Sequence, residues 1–227
     1  MALGDHGPGS LKSPSPGAAA YRRLLERLDR WMQEGQRRRP GTVPCCAGCA
    51  SCCHGPFDIT IADVELIRDA LGRMDEAERS EVLRRARGLL SRMNELAPEW
   101  GPPYNIAALG DERFDEIAGA LATEPCPLLG DDGRCRIYDS RPMVCRIIGL
   151  PMRSPAGRVI ENACPIQDRF PAYAALEPLP FDLEGFELLE VECLRDSARR
   201  MLGDAAYWEF ETTIAAAIVT VCASLPD

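Results

Sequence analysis

The sequence has almost no lysine and no excess of positive charge. Lys12 is the only lysine among 227 residues, and the formal net charge is −9, with a pI of about 4.9. An acidic chain lacks the basic surface that binds nucleic acid or an anionic membrane. We therefore expect no nucleic-acid partner.

The sequence also lacks a long apolar run. Its most apolar segment, IAAAIVTV at Ile214–Val221, is far shorter than the roughly 20 residues that span a membrane. The opening MALGDHGPGSLKSPSPGAAA has no basic start followed by an apolar stretch, so it does not resemble a secretory leader. These features predict no membrane partner and a cytoplasmic location.

Cysteine is the residue that the chain has in excess. There are 11 cysteines, and five of them lie within PCCAGCASCCHG at Pro44–Gly55. Cytosolic thiols are kept reduced, so such a cluster in a chain without a leader more often serves metal or redox chemistry than disulfides. A disulfide framework stays open as the alternative.

The cysteines divide into two kinds by their surroundings. Cys193 and Cys222 lie in helical patterns, which favours a role as small buried apolar side chains. Cys45 is either a spare ligand or only the residue before the motif, and His54 is more typical of a neighbour of the cluster than of a ligand. Eight cysteines lie in loop-like sequence and are candidate metal ligands: Cys46, Cys49, Cys52, Cys53, Cys126, Cys135, Cys145 and Cys164.

The spacing of the first four candidates bears on the number of centres. Cys46, Cys49 and Cys52 form C-x2-C-x2-C, in which the turning backbone aims the sulfurs at one point. Cys53 follows Cys52 directly, and adjacent side chains in extended backbone point to opposite faces. We therefore expect this pair to serve two neighbouring sites or one multinuclear site. Eight thiolates match two four-sulfur sites, and the sequence does not say which cysteines share one.

The type of metal is less defined by the sequence. Four thiolates suit both zinc and an iron–sulfur cluster, and ligand softness does not separate these from copper(I). The run C-x2-C-x2-C with a later Cys-Pro is similar to bacterial ferredoxin spacing, but Cys126 lies far downstream of Cys52. Zinc and iron, including an iron–sulfur cluster, stay open.

Arginine near the later cysteines offers compensation for thiolate charge. Two zinc ions on eight thiolates leave about four negative charges. Arg141 and Arg146 lie among the cysteines of residues 126–164, and we interpret them as donors to sulfur or to a bound anion. Solvated surface is the alternative, and it is favoured for Arg134 and Arg153.

Helical periodicity dominates the rest of the chain. The pattern predicts a mainly α fold: a disordered tail at 1–17, then a single helical domain at 18–227 with irregular cysteine-rich metal-binding loops at 44–167 and one small β-hairpin around Ser154–Gly157. Predicted helices cover Tyr21–Arg39, a segment opened by a Thr60–Asp63 capping pair, a segment capped by Asp75, and Asp111–Thr123, Leu183–Leu202 and Ala205–Leu225.

Several of these residues together resemble a known family. The elements are C-x2-C-x2-C-C at 46–53, the DITIADV that follows, CPLLGDDGRCRIYDSRPMVCR at 126–146, and Cys164. They resemble the YkgJ-type CxxCxxCC cysteine-cluster family, described as zinc- or iron-chelating, over roughly residues 44–167. The resemblance implies that the eight candidate cysteines chelate a metal ion, and it names no reaction.

Three functions are compatible with this pattern. The first is a metal-binding module with a structural, storage or interaction role. The second is an iron–sulfur or metal-dependent enzyme, because some longer relatives of the resembling family are flagellin lysine N-methylases, although the chain shows no nucleotide-binding glycine loop. The third is a thiol redox protein using Cys52 and Cys53 or a C-x2-C pair, which the missing thioredoxin-like strand–helix pattern disfavours.

Overall fold

A computed structural model of the chain describes residues 16–45 and 48–223. The helices within these ranges are α1 (Pro16–Arg38), α2 (Ile61–Leu71), α3 (Glu76–Leu96), α4 (Asp111–Ala120), α5 (Val144–Ile147), α6 (Pro171–Ala174), α7 (Leu183–Leu202) and α8 (Ile214–Cys222). The short strands are β1 (Asp58–Thr60), β2 (Met152–Arg153), β3 (Val159–Ile160), β4 (Leu179–Pro180) and β5 (Glu211–Thr213). The mainly α prediction is confirmed.

Helix α2 lies at the centre of the fold. Every residue from Ile61 to Ile67 is buried, and the helix packs against α1, α7 and α8. A helix that is buried around most of its circumference belongs to a core. Its buried Glu65 is paired, because it accepts hydrogen bonds from Ser197 at 2.8 Å and from Arg200 at 2.7 and 2.9 Å, both in α7.

Two predicted helix starts are confirmed by their hydrogen bonds. Thr60 Oγ1 accepts from the Asp63 N–H at 3.4 Å, and the Asp63 carboxylate accepts from the Thr60 N–H at 3.3 Å, which is a capping box. Asp75 Oδ1 accepts from the Glu78 N–H at 2.8 Å at the start of α3. Helix α7 has the predicted limits, whereas α4 ends at Ala120, earlier than predicted.

The predicted helix Ala205–Leu225 is wrong over its first part, where strand β5 precedes helix α8. Strand β5 pairs antiparallel with β1, so that Asp58 lies opposite Thr213. Adjacent threonines favour a strand because they are β-branched, and Thr213 also caps α8 by accepting from the Ala216 N–H at 3.2 Å. Periodicity alone missed this pairing because its partner strand lies far upstream in the chain.

The predicted β-hairpin is confirmed. Strands β2 and β3 pair antiparallel with Met152 opposite Ile160, and the Ser154 N–H donates to Arg158 O at 2.8 Å across the turn. Strand β4, which was not predicted, adds to β2 in parallel, with Met152 opposite Leu179. The hairpin therefore links the second cysteine segment to the chain that leads into α7.

Two further observations bear on the predictions. The predicted tail at 1–17 lies outside the described residues up to position 15, and Pro16 and Gly17 open helix α1 instead. In the part of the chain that the structure describes, no helix combines the length and apolarity needed to cross a membrane.

Candidate metal centre

Backbone hydrogen bonds attach the first cysteine loop to the second cysteine segment. The Cys126 N–H donates to Cys53 O at 2.9 Å, and the Gly55 N–H donates to Glu124 O at 2.6 Å. An isolated antiparallel bridge joins the same two stretches at His54. Two cysteine groups that are distant in sequence are therefore in direct contact.

The segment after Cys126 folds back on itself. Leu129 and Cys135 form an antiparallel bridge, and Gly133 takes a φ of +76° within the turn. A Cβ at Gly133 would lie 3.1 Å from the carbonyl oxygen of Gly48. Glycine is needed here both for its left-handed backbone and for the close approach of the two cysteine loops.

Four predicted ligands lie together against the main core; we name Cys53, Cys126, Cys135 and Cys145 the core thiols. Cys126 is buried within that core, and the other three pack against it as partly buried side chains. Burial raises the pKa of Cys126 to about 12. Burial, followed by the charges of Cys126 and Cys135, raises the pKa of Cys145. Because such charge effects need short separations, the sulfurs of Cys126, Cys135 and Cys145 lie near one another, and Cys53 is joined to them by its backbone hydrogen bond with Cys126.

Cys45 and Cys164 lie beside the buried Tyr173, and Cys49 lies near Cys45; we name these three cysteines the Tyr173 thiols. Cys164 and Tyr173 belong to one small apolar cluster that is separate from the main core. Burial, followed by the charges of Cys164 and Cys49, raises the pKa of Cys45 to about 11. Cys45, which the motif left ambiguous, therefore lies beside predicted ligands.

Cys52 lies between the two groups. Interaction with the adjacent Cys53 thiol is the largest cause of the raised pKa of Cys52, ahead of burial. The charge of Cys52 contributes to the raised pKa of both Cys45 and Cys145. The prediction that the adjacent pair serves two neighbouring sites stays a prediction, and this placement supports it.

The donor chemistry fits the metals that the motif predicts. The ten cysteines in the described ranges are all free thiols, and clustered, unpaired thiols are the donors that zinc and iron–sulfur clusters use. Cys46 lies outside the described residues. Within residues 16–45 and 48–223, no three His, Cys, Asp or Glu side chains are placed so as to hold an ion. The described thiols would therefore have to approach one another to ligate a metal.

Comparison with known families decides the classification. The model of the CxxCxxCC family, described as "putative zinc- or iron-chelating domain", matches residues 45–165, more than half of the 227 residues. The chain belongs to the CxxCxxCC family. The match confirms the resemblance found in the sequence, and its span contains all eight predicted ligands. Searches of curated proteins and of solved structures find no match.

In this CxxCxxCC chain, Asp29 of α1 binds both predicted arginines. Arg141 Nη2 donates to Asp29 Oδ1 at 2.6 Å, and Arg146 Nη1 donates to Asp29 Oδ2. Arg146 also donates to the carbonyls of Arg141 and Asp139, each at 3.0 Å. The charge of Arg141 lowers the pKa of Cys135, although the larger effect of burial raises it overall. Donation by these arginines to sulfur or to a bound anion stays a prediction.

Three other cysteine-region residues have defined places. His54 is exposed, and its Nδ1 lies 3.1 Å from Ala50 O, a contact within the cysteine loop. Cys193 and Cys222 pack against the main core as partly buried side chains, in agreement with their predicted apolar role. His54 therefore contacts the backbone of the cysteine loop. The two helical cysteines lie outside both thiol groups.

Asp29 and Tyr173 were missed by reasoning from the sequence. Asp29 lies in an amphipathic helix, where an acid is typical of the solvent-facing side, and Tyr173 lies in the short helix α6 after the last candidate ligand, Cys164. Neither residue belongs to a ligand motif. Their importance comes from contacts between distant segments, which no local pattern indicates.

Proposed function

We propose that this CxxCxxCC protein binds zinc or iron through two adjacent thiolate centres. The observation that carries the proposal is the meeting of two remote cysteine segments, with Cys126 hydrogen-bonded to Cys53. Among the free thiols near that junction, Cys126 belongs to the main apolar core and Cys164 to a separate apolar cluster. A chain that needed cysteines only as small core residues would not place so many of them side by side in loops.

The eight predicted ligands divide into two sets of four. The core thiols supply four sulfurs to the first centre. Cys49 and Cys164 belong to the second centre, with Cys52 from the junction and Cys46 from the family motif. Each centre then has the four sulfurs that a structural zinc ion or an iron–sulfur cluster takes.

The surroundings of the thiols favour metal over a bare thiolate cluster. Burial and mutual charge raise the pKa of Cys45, Cys126 and Cys145, so these thiols are neutral at physiological pH without a partner. Ligation requires the thiolate form, so metal binding displaces their protons. The nearby Arg141, whose charge acts on Cys135, would offset part of the thiolate charge.

Metal content of the full chain, purified without oxygen, tests the proposal. We expect about two equivalents of zinc, or iron with visible absorption, because each four-thiolate set binds one ion or cluster. Cys126→Ser should lose the first centre and Cys164→Ser the second, whereas Cys193→Ser, outside both groups, should keep both. A wild-type chain that stays metal-free after anaerobic reconstitution with Zn²⁺ or with Fe²⁺ and sulfide contradicts the proposal.

Metal removal should also destabilise the fold. An ion present at 100 times its Kd adds about 2.7 kcal/mol to the free energy of unfolding, which for a chain of this size raises Tm by about 5–10 °C. Thermal unfolding of the loaded chain with and without a strong chelator measures the shift. An identical Tm under both conditions would mean that metal does not bind the folded state preferentially.

A further inference from the structure

We propose that Cys45 supplies one of the four thiolates of the centre containing Cys49 and Cys164, in place of one of the other two cysteines assigned to it above, and that the Tyr173 hydroxyl holds this thiolate by a hydrogen bond. The inference rests on the proposed function and extends it to two residues outside the eight-cysteine set. Cys45 precedes the C-x2-C-x2-C-C run, and Tyr173 lies beyond the family match at 45–165.

The first observation is the shared position of the two side chains. A Cβ built on Gly149 would lie 2.6 Å from the Tyr173 hydroxyl oxygen and 3.6 Å from Cys45 Sγ. The Tyr173 phenol and the Cys45 thiol therefore both lie against the Cα atom of Gly149. Gly149 also has a φ of +108°, which favours glycine, so the space that admits both polar atoms depends on the missing side chain.

The second observation is an unpartnered buried donor. Tyr173 is 0% exposed, and its hydroxyl oxygen makes no hydrogen bond of standard geometry with the residues that the structure describes. The sulfurs of Cys45 and Cys164 lie near it, and their charges follow burial as causes of its raised pKa. Leaving a buried hydroxyl unpaired costs about 1–3 kcal/mol, so the group requires an acceptor.

A metal-bound thiolate is the acceptor that this position calls for. A phenol O–H donates one hydrogen bond, and a hydrogen bond to an ionised acceptor is about twice as strong as a neutral one. Cys45 and Cys164 become ionised when they ligate a metal. Ionisation of these thiols on metal binding therefore also provides a hydrogen-bond acceptor for the Tyr173 hydroxyl. Tyr173 acts as a positioning residue and not as a ligand.

Backbone contacts fix the parts of this arrangement. The Gly149 N–H donates to Asn162 O at 2.6 Å, and Asn162 Nδ2 donates to Leu150 O at 2.9 Å. The Cys164 N–H donates to Gln167 Oε1 at 3.2 Å. These bonds close the hairpin segment at its base and hold Cys164 against the apolar cluster that contains Tyr173.

Tyr173→Phe tests the hydrogen bond, and Tyr21→Phe is its matched control. Tyr21 is also 0% exposed, and its hydroxyl donates to Asp63 at 3.1 Å, away from the Tyr173 thiols. Loss of a partner that orients a ligand costs about 10–100-fold in metal affinity. In competition between the full chain and a chromophoric chelator for Zn²⁺, we expect this loss in one centre of Tyr173→Phe and none in Tyr21→Phe.

A spectrum separates a hydrogen bond to sulfur from a merely structural role. With Co²⁺ in place of Zn²⁺, the sulfur-to-cobalt charge-transfer band should shift to longer wavelength in Tyr173→Phe, because a thiolate without its donor is more electron-rich. Tyr21→Phe should keep the wild-type band. An unshifted band together with wild-type Zn²⁺ affinity in Tyr173→Phe overturns the role of Tyr173.

Cys45→Ala tests the ligand, with Cys193→Ala as the matched cysteine outside both groups. We expect Cys45→Ala to weaken one centre by at least about 10-fold and to reduce the cobalt charge-transfer intensity, and Cys193→Ala to do neither. In the unmutated chain, Zn²⁺ should protect Cys45 from alkylation as it protects Cys49, a measurement that needs no variant to fold. Equal alkylation of Cys45 with and without Zn²⁺, while Cys49 is protected, overturns the proposal.

The outcomes separate this inference from the proposed function. A wild-type chain that binds no metal defeats both. A wild-type chain that binds metal in both centres, while Cys45→Ala and Tyr173→Phe behave as their controls do, defeats the inference alone.

Discussion

Asp29 lies between two guanidinium groups and ties helix α1 to the second cysteine segment. Arg146 is only 5% exposed and donates to Asp29, as does Arg141. A buried charge is tolerated because it is paired, and removal of the partner leaves it without compensation. One acid outside the cysteine motif thus stabilises the segment that presents Cys145.

Asp29→Asn should therefore destabilise the chain more than loss of an exposed pair. Because Asp29 is partly exposed, we expect a loss of about 2–4 kcal/mol in the free energy of unfolding, at or below the usual cost of breaking a buried pair. Glu26→Gln, which removes the exposed Glu26–Arg30 pair at 3.8 Å, should cost less than about 0.5 kcal/mol. Urea unfolding of both variants measures the difference, and equal midpoints would contradict this role of Asp29.

The identity of the predicted ligands needed only residue types and spacing. The cysteines of 46–53 stand out by their C-x2-C spacing, and Cys126, Cys135 and Cys145 stand out because they lie in a second loop-like segment rich in cysteine. Tyr173 does not stand out in the same way. A tyrosine in a helix is ordinary. Only the structure shows that its buried hydroxyl lies beside Gly149 and Cys45 and lacks a hydrogen-bond partner among the described residues.

At the scale of elements, Asp63 connects the start of α2 to two other segments. Besides closing the capping box with Thr60, it accepts hydrogen bonds from the Tyr21 hydroxyl of α1 at 3.1 Å and from the Met143 N–H at 3.0 Å. Burial raises its pKa, and these hydrogen bonds act in the opposite direction. The cap is local, but its two additional partners come from distant parts of the chain.

Asp63→Ala should therefore cost more than loss of an ordinary cap. We expect about 3 kcal/mol or more, because the cap is lost and two buried donors are left unpaired. Asp75→Ala removes a cap hydrogen bond to Glu78 alone and should cost about 1 kcal/mol. Denaturant midpoints of the two variants give the comparison, and a loss in Asp63→Ala no larger than in Asp75→Ala would show that the distant contacts contribute nothing.

Local elements were the more predictable ones. The limits of α7, the caps at Thr60 and Asp75, and the β2–β3 hairpin depend on residues within a few positions of one another. Strand β5 was missed because its partner β1 is distant in sequence. A three-residue strand is too short to show a periodic pattern. Strands β1 and β5 lead directly into α2 and α8, so their pairing depends on how those two helices pack.

At the scale of the whole molecule, burial of acids makes stability depend on pH. Burial, followed by the charges of Asp63, Glu187 and Glu211, raises the pKa of Glu190 from 4.5 to about 7. Its Oε1 has no hydrogen-bond partner among the described residues. Because the folded-state pKa is the higher one, folding favours the protonated form. The contribution of Glu190 to stability is then greatest below about pH 4.5 and declines until about pH 7.

Glu190→Gln should remove this decline. In the metal-free chain at about pH 8, we expect the variant to be more stable than wild type by about 1–3 kcal/mol, since each pKa unit corresponds to about 1.4 kcal/mol. Glu192→Gln, on the same helix but exposed, should keep the wild-type pH profile. Thermal unfolding between about pH 5 and 8 measures both profiles, and a Glu190→Gln profile parallel to wild type would contradict the assignment.

The amino-acid sequence by itself determined the helical class, the starts of α2 and α3, the limits of α7 and the eight candidate thiols. Each of these depends on residue type and on spacing along a short stretch of chain, so the information is local. The tertiary structure alone decided which thiols lie together, how Asp29 meets Arg146, and where the Tyr173 hydroxyl lies. Those features depend on the packing of distant segments, and packing is a property of the whole chain that no short window of sequence contains.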